Sequence, residues 1–188
     1  MILIGLCGAA GAGKDTVAAR LRERHGFWVM AFADPLYSAV SAITGMPVAA
    51  LKNRDLKERP VGWIGKSPRE LLQLLGTEFG RNLIREDIWI RRAMETIGAV
   101  AVGNEHAGCV ITDVRFDNEA EAIRQAGGMI FEVVRPGSTC LKSAAATHSS
   151  ERGIGRQHIL ATIVNDGSLD DLAAGVDAAV ASLHADIM

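Results

Sequence analysis

Ile2-Leu3-Ile4-Gly5-Leu6-Cys7-Gly8-Ala9-Ala10-Gly11-Ala12-Gly13-Lys14-Asp15-Thr16-Val17 is the stretch on which the reading of this chain turns. Residues 2–7 form an apolar run that reads as a buried strand. The next residues form a glycine-rich loop, and Val17, Ala18 and Leu21 then recur at helical spacing until Gly26. Strand, glycine loop and helix in that order are the context a phosphate-binding loop requires. The common pattern is G-x-x-x-x-G-K-[ST]. Gly8, Gly13 and Lys14 fit it, with Ala10, Gly11 and Ala12 supplying backbone between them. Glycine is needed because a loop that wraps an anion uses backbone angles that side chains forbid. Its N–H groups would surround phosphates, and Lys14 would reach the β and γ oxygens. Asp15 stands where Ser or Thr is usual, and Thr16 follows one place late. The hydroxyl that normally holds Mg²⁺ is therefore displaced, leaving Asp15 and Thr16 as candidate metal ligands.

Working outward, apolar runs at 2–7, 28–32, 109–112, 129–134 and 159–164 read as strands separated by helical patterns. The expected class is α/β, a parallel sheet covered on both faces. Asp34-Pro35 reads as a cap before a helix carrying Leu36, Val40 and Ile43. Ser67-Pro68-Arg69-Glu70 is a capping box ahead of Leu71, Leu72, Leu74 and Leu75. Asp87 and Asp117 are further candidate caps, and Ser168 with Asp171 boxes the last helix. Residues 46–66 and 136–158 are long, polar and irregular, the kind of connection that is usually functional.

The 188 residues suit one domain, and 48% of them are hydrophobic, enough for a sizeable core. A net charge of −2 gives no nucleic-acid footprint, and the basic spots at Arg20, Arg22, Arg24, Arg91 and Arg92 read as solvated helix faces. Cys7, Cys109 and Cys140 show no paired spacing, so neither a disulfide framework nor a zinc site is expected. With no leader pattern and no bilayer-length apolar run, the chain is expected to be cytoplasmic, with no membrane partner.

The run Cys109-Val110-Ile111-Thr112-Asp113 is an apolar strand with a terminal Asp, the form of a Walker B element. Ligands bind beyond the carboxyl ends of strands in such sheets, so Asp113 would lie near the phosphates and could hold Mg²⁺ directly or through water. Arg115, two residues on, could grip a phosphate with two parallel hydrogen bonds. Asp34 is either a helix cap or a substrate contact. Arg69 lies in the first turn of its helix, against the helix dipole, which hints at an anionic ligand. Trp89 either stacks on a base or fills core. No Ser–His–Asp or Cys–His arrangement stands out, and His148 reads as solvated.

Taken together, these elements resemble the bacteriophage-type deoxynucleoside monophosphate kinases. The resemblance is carried by Gly8 to Thr16 with its Gly-Lys-Asp-Thr ending, Ala33-Asp34-Pro35-Leu36, Ser67-Pro68-Arg69-Glu70-Leu71-Leu72-Gln73 and Gly76-Thr77-Glu78. It continues through Asp87-Ile88-Trp89, Asp113-Val114-Arg115-Phe116, Asn118-Glu119-Ala120, Gly127-Gly128, Val133-Val134-Arg135-Pro136, His148 to Glu151 and Asn165-Asp166-Gly167-Ser168-Leu169. It implies a P-loop kinase with sheet order 2-3-1-4-5, an acceptor-binding insertion over about 46–100 and a lid over about 136–158. It also implies transfer of the γ-phosphoryl of ATP, with Mg²⁺, to a deoxynucleoside 5′-monophosphate.

Under that resemblance Asp34, Arg69, Trp89 and Arg115 line the acceptor side, Arg135 and Asn165 to Gly167 lie near the ATP base, and Arg152 and Arg156 are lid candidates. Lys14, Arg115 and Asp113 would carry the in-line transfer. A related small-molecule kinase, acting on dephospho-coenzyme A or phosphomevalonate, and a nucleotide-binding regulator without transfer are the alternatives. Base preference and oligomeric state are left open by the sequence, a homodimer included.

Overall fold

Strands β1 (Ile2–Cys7), β2 (Phe27–Met30), β3 (Gly108–Ile111), β4 (Met129–Val134) and β5 (Ala161–Val164) run parallel in the order β2-β3-β1-β4-β5. The computed structural model describes residues 1–103, 106–137 and 153–185. β1 lies at the centre, with Ile4 opposite Val110 of β3 and Leu6 opposite Phe131 of β4. Because every pairing is parallel, the carboxyl ends of β1, β3, β4 and β5 fall at one edge of the sheet. That edge carries Gly8, Asp113, Arg135 and Asn165.

Alternation along the strands divides the sheet into two buried faces. Ile4, Leu6, Val110, Phe131 and Val133 pack with Val17, Ala18 and Leu21 of α1 (Lys14–His25) and with Leu172, Val176, Val180 and Leu183 of α8 (Leu169–Ala185). On the other face, α7 (Asp117–Gln125) closes down where Gly5 leaves room. A Cβ there would lie 2.6 Å from Ile130, 2.8 Å from Ile123 and 2.9 Å from Val114. α1 and α8 are also joined by charge, since Asp177 accepts from Arg20 at 2.5 and 3.0 Å and lies 2.8 Å from His25 Nε2.

The chain divides into two compact units, Met1–Ala31 with Glu95–Met188, and Phe32–Met94. The first holds the sheet. The second contains α2 (Asp34–Thr44), α3 (Val48–Lys52), α4 (Arg54–Lys57), α5 (Pro68–Gln73) and a π-helix, Leu74–Ile84. Its own small core is Val40, Leu51 and Leu71, with Tyr37, Met46, Ile64, Leu72 and Leu75 packed against it. Helix α6 follows as Ile88–Gly103. No helix among the described residues is long and apolar enough to cross a membrane.

The capping boxes form as expected: Ser67 Oγ accepts the Glu70 N–H while Glu70 accepts the Ser67 N–H at 2.8 Å, and Ser168 and Asp171 repeat the exchange. Asp34 and Asp117 are not caps. Ala33 and Phe116 occupy the cap positions, and each Asp is the first helical residue. Their carboxylates have other partners: Asp34 accepts from Lys52 Nζ at 3.2 Å and Asp117 from the Gly155 N–H at 2.7 Å.

Candidate functional site

The glycine loop crosses the edge of β4 so closely that its shape is set by backbone contact. Gly8 has φ +125°, and a Cβ there would lie 2.2 Å from the Val133 carbonyl oxygen. Gly11 and Gly13 have φ +80° and +109°, a region L side chains rarely enter. At the far side of the loop, Asn165 Nδ2 donates to the Ala12 carbonyl at 2.9 Å, in the space a Gly13 side chain would take. The Asn165 N–H donates to Val134 O at 2.7 Å, continuing the ladder from β4. Asn165 thus braces the loop itself. Gly167 leaves room for Asp171 to turn back on Ser168, a Cβ there lying 2.5 Å from Asp171 Oδ2.

Lys14 Nζ donates to the carbonyls of Gly8 at 2.7 Å and Ala9 at 2.9 Å. Burial, and then the positive charge of Arg115, push its pKa below the ordinary lysine value, while Asp15, Cys7 and Asp113 pull the other way. Two cations and two carboxylates therefore share one electrostatic neighbourhood at the mouth of the loop. The thiol beside it, Cys7, is pushed up to about 11 by burial and by the charge of Glu132, which keeps it protonated and unreactive.

Asp15 and Thr16 are exposed in the first turn of α1, and Asp113 is half-buried just past β3. Among the described residues no cluster of three His, Cys, Asp or Glu side chains could hold a metal alone. Mg²⁺ needs no such cage: it takes one or two carboxylates and completes its shell with water and phosphate oxygens. The oxygen donors of Asp15, Thr16 and Asp113 suit it.

The segment after β3 is no longer a strand, yet its N–H groups have fixed acceptors. Thr112 donates to Met30 O at 3.0 Å, Val114 to Leu6 O at 3.1 Å, and Arg115 and Phe116 both donate to Glu119 Oε2, at 2.8 and 3.1 Å. Glu119, only 4% exposed, has no role of its own in the sequence pattern. The signal for it was the capping-box position, three residues after the helix cap. Asp117 then takes the Gly155 N–H, and Arg124 donates to Gln157 O at 3.3 Å, so α7 also holds the short 3₁₀ turn Arg156–His158. Arg135 is exposed just beyond β4. Arg156 opens the 3₁₀ turn, whereas Arg152, His148 and Cys140 lie outside the described residues.

In the second unit, Lys57 Nζ donates to Tyr37 Oη at 2.9 Å, and Lys52 and Lys57 lie 5.0 and 5.5 Å from the centre of that ring. Arg69 pairs with Glu58 at 2.7 Å on the surface, where such a pair contributes little. Trp89 donates its indole N–H to Gly76 O at 2.8 Å. Its ring lies against Gly80, where a Cβ would be 2.5 Å away. The tryptophan therefore ties the start of α6 to the π-helix.

Residues 62–176, more than half of the chain, match the family model described as deoxynucleotide monophosphate kinase. A provisionally named deoxynucleotide monophosphate kinase of Acanthamoeba polyphaga mimivirus is 35% identical over 80% of this chain and 81% of its own length. The deoxynucleoside-5′-monophosphate kinase of Escherichia phage T5 is 26% identical over 87% and 89%. Among solved structures, a dephospho-CoA kinase from Campylobacter jejuni superposes with a TM-score of 0.53 at 13% identity, covering 99% of this chain and 98% of that one. TT1252 from Thermus thermophilus gives 0.52 at 24% identity, with 97% of each chain covered. These last two are likenesses of fold.

Proposed function

The chain belongs to the deoxynucleotide monophosphate kinase family, and from that premise we propose how it works as a nucleotide kinase: it moves the γ-phosphoryl group of ATP onto a deoxynucleoside 5′-monophosphate, giving the diphosphate and ADP. An oxygen of the acceptor phosphate forms the new bond to the γ-phosphorus. The bond from that phosphorus to the β,γ-bridging oxygen breaks, and its electron pair leaves on ADP. The acceptor phosphate is already anionic, so no protein base is required. What the protein supplies is alignment and charge.

The observation that best supports the assignment of roles is the gathering of charge around Lys14. A desolvated ammonium beside the glycine loop, with Arg115 near enough to depress its pKa, is a site built for an anion of high charge. The loop N–H groups and Lys14 hold the ATP phosphates, and Arg115 faces the acceptor phosphate and the group in transfer. Asp15, Thr16 and Asp113 would hold Mg²⁺, which when bound neutralises charge on the β and γ oxygens. In the second unit Asp34, Arg69 and Trp89 serve the acceptor, Arg135 and the turn at Asn165–Gly167 serve the base of ATP, and Arg152 belongs to the lid.

The test is ADP release from ATP over a panel of deoxynucleoside and ribonucleoside monophosphates, with dephospho-coenzyme A and phosphomevalonate included. Release stimulated by deoxynucleoside monophosphates is expected. Stimulation only by the other acceptors would reassign the substrate, and ATP binding without any acceptor-stimulated release would make the protein a regulator.

A further inference from the structure

We infer that Glu119 is a positioning residue for Arg115: its buried carboxylate holds the two backbone N–H groups from which the Arg115 side chain is aimed at the phosphate loop. The inference rests on the role given to Arg115 above and adds to it a residue that touches neither nucleotide. Beyond Ile111 the strand ends; Thr112 and Val114 still donate to Met30 and Leu6 of the neighbouring strands, but the Arg115 N–H turns to a side chain. Glu119 Oε2 takes the place of a neighbouring strand, accepting from Arg115 N at 2.8 Å and from Phe116 N at 3.1 Å.

The carboxylate is an expensive choice for this task. At 4% exposure it has lost most of its hydration, and such a charge persists only where hydrogen bonds replace the water. The first turn of α7, where the helix dipole favours an anion, lessens that cost. The adjoining contacts leave the segment little slack, because the Val114 N–H is bound to Leu6 O at 3.1 Å and the Val114 side chain is buried. The root of Arg115 is thus fixed on both sides while its side chain is exposed at the edge shared with Lys14. A plain helix cap would serve α7 alone. Here one oxygen serves the helix and the arginine together.

A double-mutant cycle separates the two roles. Glu119→Ala is expected to lower acceptor-dependent kcat by on the order of 10²-fold, the effect of misplacing a reacting-site group by about 1 Å. It should leave the equilibrium affinity for ATP nearly unchanged. Glu119→Gln keeps an acceptor oxygen at the same reach and should recover most of the loss, whereas Glu119→Asp, one methylene shorter, should not. These two variants carry the test if the alanine variant fails to fold. Placed on Arg115→Ala, Glu119→Ala should cost almost nothing more, because both changes remove one function.

Losses that multiply in the double variant, or a Gln variant as poor as Ala, would overturn the proposal. If Arg115→Ala is impaired and Glu119→Ala is not, the proposal falls alone. If Arg115→Ala turns over as fast as the parent, the role of Arg115 falls and the proposal with it.

Discussion

The Lys14 ammonium and the Gly8 carbonyl oxygen are 2.7 Å apart, and a second bond from the same nitrogen reaches Ala9 at 2.9 Å, so the loop's own acceptors hold its lysine in place. Moving to a phosphate exchanges two neutral acceptors for anionic ones, adding the attraction of opposite charges to bonds that the ammonium already makes. Lys14→Ala should therefore reduce acceptor-dependent turnover by at least about 10²-fold while the far-ultraviolet circular dichroism and the melting temperature stay close to the parent's. Turnover retained at the parental rate would contradict the role of the loop.

Asp15 adds a negative charge at the start of α1, beside the place proposed for phosphates. Without a cation to offset it, that charge opposes ATP. The affinity of the parent for ATP, titrated at equilibrium, should rise strongly with Mg²⁺, and Asp15→Ser should flatten that dependence. Equal affinity with and without the metal would refute the assignment.

Gly8 combines φ +125° with a Cβ position 2.2 Å from a backbone oxygen that cannot rotate away. The dihedral alone costs on the order of 1–3 kcal/mol for a residue with a side chain. Gly8→Ala should lower unfolding stability by at least that much in a urea titration and abolish ATP binding. An unchanged midpoint would show that β4 and the loop are further apart than described.

Trp89 spends its indole N–H on Gly76 O. Trp89→Phe keeps most of the ring and loses that bond, so stability should fall by about 1 kcal/mol. If the ring also stacks on the acceptor base, KM for the monophosphate rises less on this change than on Trp89→Ala, since phenylalanine can still stack. Identical KM values across all three proteins would confine Trp89 to holding α6 on the π-helix.

Asp177 is held well below the usual carboxylate range, first by its hydrogen bonds from Arg20 and then by His25. A depressed folded-state pKa stabilises the fold above the unfolded value of about 4, and the gain is lost as pH falls through the folded value. The melting temperature of Asp177→Asn should therefore lie below the parent's above about pH 5, and the margin should close toward about pH 2. A margin that widens on acidification would mean that the pair does not act through charge.

The parts of this molecule that sequence revealed are those whose chemistry is local. The phosphate loop is legible because its glycines, lysine and flanking strand lie within one short stretch, and β1 and β4 have the limits their apolar runs suggest. The expected strand at 28–32 ends at Met30, and the one at 159–164 begins only at Ala161. Both lie at sheet edges, where the neighbour sets the length: β3 offers β2 only Gly108 to Ile111, and β4 meets β5 only over Phe131 to Val134. The π-helix had no signal, because a pattern of Leu71, Leu72, Leu74 and Leu75 does not tell i→i+4 from i→i+5 bonding. Asp34 and Asp117 depart from the caps expected of them for a related reason. An aspartate beside a helix start goes to the better partner, and Lys52 and Gly155 are distant in sequence. Glu119 stands in the stretch Asn118-Glu119-Ala120, but its work depends on where two N–H groups point.

Cys7 and Cys109 lie on adjacent strands at the middle of the sheet, 4% and 0% exposed, with burial holding their thiols at about 11 and about 12. Thiolate is the form that alkylating reagents attack, so at neutral pH the folded sheet withholds both groups from them. Their alkylation, followed peptide by peptide in mass spectrometry, becomes a clock for sheet opening, and slowing of that clock by ATP would report ligand binding without any measurement of phosphoryl transfer.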